Sequence, residues 1–298
     1  MTAREIAQLR DILSQGGVDF TAPPTSERVN FDALLTSFPQ DESLQTTSRT
    51  IGGVSGLWAD GPGDGVLLYL HGGGYTLGSS TGYRQLAASI AAQAGVALFS
   101  ADYRLAPEDP YPAALHDAVA VYRGLLGEGV PADRIVLGGD SAGGGLAVAT
   151  LARLRDEGAE LPAGAFLISP WADLTLSGST VRSKAEADPS LDAEGLSAAA
   201  AHYLAGADPS DPGASPVFAE LAGLPPLSIH HGESEILLSD SLRLTARAAE
   251  AGVDVRLHVW PGMVHDWPLF AFMLSEGREA IAEIAEFVQA RVEAEAAA

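Results

Sequence analysis

From residue 66 onward, short apolar runs alternate with longer stretches in which apolar positions recur at helical spacing. The apolar runs predict six strands, at residues 66–70, 96–101, 135–137, 165–168, 227–230 and 255–260. The stretches between them predict helices near residues 83–94, 112–126, 142–157, 239–251 and 276–293. Apolar strands that alternate with helices indicate an α/β fold, with a mostly parallel central sheet and helices on both of its faces.

Two segments do not follow this alternation. Residues 1–48 have a helical pattern, with Ile6, Leu9 and Leu13 on one face and a second short helix after two prolines. Residues 176–215 are rich in Ser, Ala, Asp and Pro, and contain one helical stretch near residues 193–205. An excursion of this length between two strands is more often a lid or an insertion than a plain loop. We therefore divide the chain into N-terminal helices at 1–48, a core at 49–175 and 216–298, and an insertion at 176–215.

Composition excludes several classes of function. The chain has 298 residues, of which 47% are hydrophobic and 19% charged, so it can form a packed core. Its net charge of −22 argues against nucleic acid and anionic membranes as partners. The absence of cysteine excludes disulfides, Cys-ligated zinc, iron–sulfur clusters and a thiol nucleophile.

No stretch approaches the roughly 20 apolar residues of a membrane span, and the N-terminus lacks the apolar core of a signal peptide. We therefore expect a soluble, cytoplasmic protein. Export in a form that has already lost its signal remains the open alternative.

The motif Gly-x-Ser-x-Gly occurs twice, at residues 139–143 and at residues 78–82. The first copy lies between a predicted strand and a predicted helix, the context that exposes a serine hydroxyl above a sheet. The second lies in a loop of Gly, Ser and Thr that no strand leads into. We therefore predict that Ser141 is a nucleophile, with a helix N-cap as its alternative role, and that Ser80 is a loop residue.

A serine nucleophile needs a general base, and His265 is the candidate. It follows the predicted strand 255–260, at the carboxyl end where α/β sites form. His230 and His231 are adjacent in a strand, so they should face opposite sides and make a poor metal pair. His116 falls within a helical pattern and is predicted to be a surface or packing residue, and His202 and His258 have no motif context.

The run His-Gly-Gly-Gly at residues 71–74 follows the strand 66–70 directly. Its backbone N–H groups suit an oxyanion hole, and a flexible turn is the alternative interpretation. An acid between Ser141 and His265 in the chain would complete a triad. Glu233, Glu235 and Asp240 all follow the strand 227–230, and each could instead be a solvated charge or, for Asp240, part of a helix start.

The motifs HGGG at 71–74, DYRLAPE at 102–108 and GDSAGG at 139–144 occur in this order. Together they resemble the bacterial hormone-sensitive-lipase-like family of α/β-hydrolase esterases, over residues from about 50 to about 290. The resemblance implies the α/β-hydrolase fold with a helical cap, formed by residues 1–48 and by the insertion 176–215. The DYRLAPE stretch is largely structural in this family.

The resemblance also implies roles for individual residues. Ser141 would be the nucleophile and His265 the base. The oxyanion hole would be formed by the backbone N–H groups of Gly73, Gly74 and Ala142.

The acid position departs from the family pattern. The family commonly has Asp-x-Leu there, whereas this chain has Glu-Ile-Leu at 235–237, so we predict Glu235 as the acid. Asp240 lies five residues further on, where its carboxylate is predicted to stabilise the first turn of the next helix. Glu233 remains an alternative.

These residues predict a serine carboxylesterase that acts on small, short-acyl-chain esters through an acyl-enzyme. The mechanism needs no metal or organic cofactor, and the family resemblance makes a homodimer the candidate assembly. Phe38, Tyr75, Tyr83 and Tyr203 are predicted either to line the substrate pocket or to belong to the core. The alternatives are an amide or formamide hydrolase with the same triad, and a non-catalytic ligand receptor on the same fold.

Overall fold

The computed structural model describes residues 3–14, 16 and 18–293. In these residues eight strands form one sheet in the order β1-β2-β4-β3-β5-β6-β7-β8. Strands β3 to β8 are parallel, whereas β2 pairs antiparallel with both β1 and β4. The strands are β1 Thr47–Ile51, β2 Val54–Ala59, β3 Val66–Leu70, β4 Ala97–Ala101, β5 Ile135–Asp140, β6 Gly164–Ile168, β7 Leu227–Gly232 and β8 Val255–Trp260.

Helices connect most of the strands. They are α1 Ala3–Ser14, α2 Pro24–Ser37, α3 Arg84–Ala94, α4 Ala113–Gly127, α5 Ser141–Asp156, α6 Thr180–Ser183, α7 Ala193–Leu204, α8 Leu238–Glu250 and α9 Ser275–Glu293. Short 3₁₀ turns lie at Ala132–Arg134, Pro216–Phe218 and Trp267–Phe270. None of the helices in the described ranges is long and apolar enough to cross a bilayer.

The predicted α/β architecture is confirmed, and all six predicted strands are present. Two strands were missed, β1 and β2, which form an antiparallel edge. Strand β1 is polar and mostly exposed, so it has no apolar run that a sequence pattern could detect. The remaining signal was the pair Gly52 and Gly53 between them, whose φ values of +60° and +85° fit a two-residue hairpin turn.

The core has two layers because successive side chains of a buried strand point to opposite faces of the sheet. In β3, Leu68 and Leu70 pack into the layer that contains residues of α4, α5 and α8. Leu67 and Tyr69 pack into the other layer, with residues of α3 and α9. Burial of each such side chain contributes about 1.5–3 kcal/mol.

Helices α1, α2 and α7 lie against loops at the carboxyl ends of the strands. Arg10 of α1 donates to the Ser234 hydroxyl, just after β7, at 2.5 Å. Arg28 of α2 donates from Nε to the Thr76 carbonyl, in the loop after β3, at 2.7 Å. A Cβ on Gly74 would lie 3.3 Å from Ala199 of α7. These helices therefore cover the end of the sheet that carries Ser141.

Candidate active site

Ser141 lies at a sharp turn between β5 and α5. Its φ of +49° is in the left-handed region, which is strained for a residue other than glycine and is often retained at functional sites. The turn brings Gly143 against β3, where a Cβ would lie 1.9 Å from the Leu70 carbonyl oxygen. Only glycine fits at that contact, so the sequence Gly-x-Ser-x-Gly allows the serine to stand at this turn.

The structure brings Ser141, His265 and Glu235 into one chain of hydrogen bonds. His265 lies in the loop after β8, and its Nε2 is 3.0 Å from the Ser141 hydroxyl. Its Nδ1 is 2.8 Å from Glu235 Oε2. With the ring proton on Nδ1, that nitrogen donates to Glu235 and Nε2 accepts from Ser141, the arrangement that lets Nε2 take the serine proton.

Glu235 is fully buried, and its second oxygen is also held. Oε1 accepts hydrogen bonds from the Ser169 hydroxyl at 2.6 Å and from the Gly232 backbone N–H at 2.5 Å. Burial alone would raise the pKa of Glu235, but His231, His265 and Ser169 outweigh it and hold that pKa below its ordinary value. The carboxyl group is therefore ionised at neutral pH.

The pKa of His265 shifts in the opposite sense. Burial alone would lower it, but the carboxylates of Asp266 and Glu235 outweigh burial and hold the pKa well above its ordinary value. The site therefore stabilises the imidazolium that forms once His265 has taken a proton.

The other two candidate acids do not contact His265. Glu233 is exposed and accepts the Gly262 N–H at 3.0 Å. Asp240 is buried in the first turn of α8, but its carboxylate accepts the N–H groups of Ala172 and Asp173, each at 2.9 Å. Asp240 thus lies in the first turn of its helix, as predicted, and its carboxyl group also binds the loop after β6. Burial raises the pKa of Asp240 to about 8.

The glycine run after β3 has the backbone shape expected of an anion-binding loop. Gly73 and Gly74 have φ values of +105° and +61°. The N–H of Ala142, the second residue of α5, has no intrahelical acceptor, as at every helix N-terminus. Among the described residues no hydrogen bond of a turn, loop or side chain uses the N–H of Gly73, Gly74 or Ala142. These three groups are thus free to bind an oxyanion.

His71 holds that loop in place. Its ring is buried, and Nδ1 lies 2.7 Å from the Gly72 carbonyl oxygen. The ring stacks on Tyr103 at 4.3 Å between centroids, and the Tyr103 hydroxyl donates to the His71 carbonyl at 2.6 Å. Burial lowers the pKa of His71, so the ring is neutral. The DYRLAPE stretch, which supplies Tyr103, therefore supports the loop as the resemblance implied.

An apolar cavity of about 120 Å³ opens at Ser141 and His265. Half of its lining comes from the N-terminal segment, namely Ile12, Leu13, Gly16, Val18, Phe20, Phe31, Leu34, Leu35 and Phe38. Of the four aromatic residues considered, Phe38 and Tyr83 line it. Tyr75 and Tyr203 instead stack on each other at 3.8 Å and are buried in the core.

Three functional candidates escaped the sequence analysis. Ser169, just after β6, holds Glu235 as described. Asp188 accepts the Ile236 N–H at 2.9 Å and so fixes the backbone beside Glu235. Asp266 lies 3.1 Å from His265 Nε2 through its Oδ2. The signal for Asp266 was its position next to His265, and the signal for Ser169 was its place at the carboxyl end of a neighbouring strand.

His230, His258 and Glu283 form a group whose ligand atoms lie within 4.8 Å of one another. His230 and His231 face opposite sides of β7, as predicted, and His230 accepts from the Trp260 indole N–H at 3.2 Å. Burial lowers the pKa of His230 to about 3, so its ring is neutral and its one proton is on Nε2, which faces the Ser228 hydroxyl at 3.2 Å. With no free lone pair on His230, this group is a poor metal site.

Comparison with known proteins places the chain in a class. A family model of proteins with the alpha/beta hydrolase fold matches residues 67–269. The chain therefore belongs to the α/β-hydrolase family.

Its relatives define the class more narrowly. An acetyl-hydrolase of Streptomyces hygroscopicus is 46% identical over 97% of both chains, and an esterase of Acinetobacter venetianus is 36% identical over 89% of this chain and 88% of its own. A crystal structure of an esterase from the bacterial hormone-sensitive lipase family is 42% identical, with a TM-score of 0.93 over 98% of this chain and 99% of that one. The predicted resemblance is confirmed, and the protein is a carboxylic ester hydrolase.

Proposed function

We propose that the protein hydrolyses small esters with short acyl chains, through a covalent acyl-enzyme on Ser141. His265 takes the proton of the Ser141 hydroxyl as the oxygen attacks the ester carbonyl carbon. It then gives that proton to the departing alcohol, and water hydrolyses the acyl-enzyme by the same route. Glu235 orients the ring and stabilises the imidazolium.

The observation that carries this proposal is the continuous hydrogen-bond chain from Ser141 through His265 to the buried Glu235. An isolated serine is a weak nucleophile, and a base held by a carboxylate is what activates it. Gly73, Gly74 and Ala142 would bind the oxyanion through their backbone N–H groups, which the described residues leave unused.

The size of the cavity supports a small substrate. A volume of about 120 Å³ is below the roughly 300–1,000 Å³ typical of sites for drug-sized ligands. Its walls are mostly Leu, Ile, Val and Phe side chains, which suit an apolar acyl or alcohol group. The relative from Streptomyces hygroscopicus is named an acetyl-hydrolase, and acetyl is the shortest common acyl group in such esters.

We further propose that residues 1–48 and 176–215 form a cap over the catalytic core, except that Thr47 and Ser48 already belong to β1. The N-terminal segment supplies half of the cavity wall, and Leu191 of the second segment lines the same cavity. The two segments are also joined, because Arg10 donates to the Ala187 carbonyl at 2.8 Å.

Covalent labelling tests the nucleophile. A fluorophosphonate should modify the wild-type protein at Ser141, and Ser141→Ala should not be labelled. Labelling of Ser80 in place of Ser141 would overturn the proposed mechanism.

A panel of p-nitrophenyl esters of increasing chain length, with matching anilides, tests the substrate. We expect the highest kcat/KM for the shortest acyl chains and slow cleavage of the anilides. Anilides that turn over as fast as esters would instead indicate an amide hydrolase.

Variants on α2 test the wall of the cavity. Phe31 lines the cavity, whereas Val29 on the same helix is 70% exposed and does not. Phe31→Ala should therefore shift the preference toward longer acyl chains, and Val29→Ala should leave it unchanged. If both variants had the same acyl-chain preference, the N-terminal segment would not contribute to the substrate site.

A further inference from the structure

The His265 ring has a carboxylate at each of its two nitrogens. Glu235 lies at Nδ1, and Asp266 Oδ2 lies 3.1 Å from Nε2, almost as close as the Ser141 hydroxyl at 3.0 Å. Asp266 is 4% exposed and has a φ of +50°, in the left-handed region. A carboxylate beside the nitrogen that takes the serine proton is not needed for a Ser-His-acid triad, so its presence calls for an explanation.

Asp140, the residue before the nucleophile, is a second buried carboxyl group that interacts with Asp266. Asp140 is fully buried, and its Oδ1 accepts from the Tyr69 hydroxyl at 2.6 Å and from the Gly72 N–H at 3.0 Å. Asp140 Oδ2 and Asp266 Oδ1 are both buried, and among the described residues neither has a hydrogen bond of good geometry. The Tyr83 hydroxyl also interacts with the Asp140 carboxyl group. The two carboxyl groups interact, because each shifts the pKa of the other.

Two buried carboxyl groups that interact in this way disfavour each other's ionisation. Burial, and then the charge of Asp266, raise the pKa of Asp140 well above its ordinary value. Burial also raises the pKa of Asp266, but His265 opposes that rise. The positive charge of His265 therefore favours ionisation of Asp266, the carboxyl group next to the ring.

The other groups around His265 do not cancel this charge. His231 on β7 lies 3.3 Å from Glu235 Oε2 through its Nε2, and burial lowers its pKa to about 4, so it is neutral. Asp188, from the segment 176–215, is a third carboxyl group that interacts with the ring, and burial raises its pKa. The titratable and charged groups that face His265 from all the surrounding elements are Glu235, Asp266, Asp140, Asp188 and His231.

We propose that Asp266 is a positioning residue for His265, and that Asp140 holds its carboxylate at the Nε2 side of the ring. The inference rests on the proposed function, in which His265 is the base. When the Ser141 oxygen bonds to the carbonyl carbon, its proton passes to Nε2 and the carbonyl electron pair moves to the oxygen. Asp266 then stabilises the imidazolium at Nε2, as Glu235 does at Nδ1. The proton next leaves Nε2 for the alcohol oxygen as the bond between carbon and that oxygen breaks.

The same contact has a cost in the resting enzyme. A negative charge at Nε2 favours the protonated ring, which cannot act as a base. The contact therefore moves the pH range in which the enzyme is active toward higher pH. In return, it stabilises the imidazolium that forms during the reaction.

The test compares Asp266→Asn with the wild type in two measurements, the pH profile of kcat/KM and the NMR titration of His265. Asn tolerates a left-handed backbone better than most residues, and Asp266→Gly is a second variant that tolerates it fully. In both variants we expect the acid limb of kcat/KM to move to lower pH by about one unit or more, with kcat reduced and KM nearly unchanged. NMR titration of the His265 ring should show the same fall in its pKa.

Glu233→Gln is the matched control. It also removes one carboxylate from a loop at this end of the sheet, but Glu233 is exposed and contacts the Gly262 backbone instead of His265. The acid limb and the His265 titration should stay at their wild-type positions in this variant.

An unchanged His265 titration in both Asp266 variants would overturn the inference, as would an equal shift in Glu233→Gln. The proposed function fails separately, if wild type does not cleave esters or if Ser141→Ala still does. The NMR titration needs no turnover, so it decides the role of Asp266 in either case.

Discussion

The two Gly-x-Ser-x-Gly segments of this chain have the same sequence pattern and different structures. Ser141 and Ser80 are 6% and 1% exposed, so burial does not separate them. Ser141 is at a strained turn, with its hydroxyl on a histidine. Ser80 is in a loop, and its backbone N–H donates to Asp102 at 2.7 Å. Within the described residues its hydroxyl has no hydrogen-bond partner.

The glycines at the last position of the two motifs differ in the same way. A Cβ on Gly143 would lie 1.9 Å from the Leu70 carbonyl oxygen, which is backbone and cannot move away. A Cβ on Gly82 would meet the side chains of Asp32 and Leu35 at 2.9 and 3.1 Å, and side chains can rotate. A motif of two glycines and a serine therefore acquires its meaning from the strand before it and the helix after it.

Ser141→Ala is expected to have the largest effect on activity and so gives the strongest test of the difference between the two serines. We expect kcat/KM for p-nitrophenyl butyrate to fall by roughly 10⁴–10⁶, because the acyl-enzyme cannot form. The unfolding temperature should change little, since the substitution removes one oxygen. Substantial residual activity in this variant would mean that another residue is the nucleophile.

Glu235→Gln removes the carboxylate that holds His265 against Ser141. We expect kcat to fall by roughly 10²–10⁴ with KM nearly unchanged, because the imidazolium loses its partner and the tautomer its anchor. Glu235→Asp should recover part of the loss. Steady-state kinetics of these variants would be measured beside Glu233→Gln and Asp240→Asn, each expected to cost under about tenfold. A larger loss in either control would identify that residue as the acid.

The pH profile of activity should follow the protonation of His265, the base that contacts Ser141. Only the neutral ring can take a proton, so kcat/KM should fall by up to about tenfold per pH unit below the pKa of His265. Burial opposes the shift, but Asp266 and Glu235 hold that pKa well above its ordinary value of 6.5, so the limb should lie on the alkaline side of 6.5. A profile that is flat down to about pH 4 would exclude a histidine base.

The two glycines give a stability test. Gly143→Ala should lower the free energy of unfolding by about 1–3 kcal/mol or more, because an extra methyl group is forced into backbone. Gly82→Ala should cost less, since the neighbouring side chains can adjust. Urea unfolding measures both free energies. Equal losses of stability in the two variants would mean that the contact of Gly143 with β3 does not require glycine.

The smallest effect is expected for Ser80→Ala. Its buried hydroxyl makes no hydrogen bond among the described residues, so its removal leaves no partner unsatisfied. Activity should stay within about threefold of wild type and stability within about 0.5 kcal/mol. An inactive Ser80→Ala would show that context does not distinguish the two motifs.

The apolar core of the fold could be predicted from the sequence, because β3 is a continuous apolar run, β8 alternates apolar with polar residues, and the helices between the strands are periodic. Their predicted bounds, 66–70 and 255–260, agree with Val66–Leu70 and Val255–Trp260. Strand β1 could not, because an exposed edge strand has no reason to be apolar.

The candidate site was predictable where a residue type is required by local geometry. Gly143 belongs to that group, because the turn has no room for a side chain there, and Ser141 is identified by its place beside such a glycine. Asp240 does not, because its partners are backbone groups of a loop that follows a distant strand. Asp266 is adjacent to His265, but only the folded loop turns its carboxyl group back onto Nε2 of the ring. Contacts of that kind depend on tertiary packing, which a pattern along the chain does not record.

The cavity next to Ser141 has one further consequence, for how such a protein diverges. Its reacting groups come from the ends of strands, whereas half of its wall comes from residues 12–38. Changes in that first stretch reshape the wall and leave the hydrogen-bond chain of His265 and Glu235 in place. Related enzymes can therefore change their substrate preference through mutations in residues 12–38, while the catalytic residues stay the same.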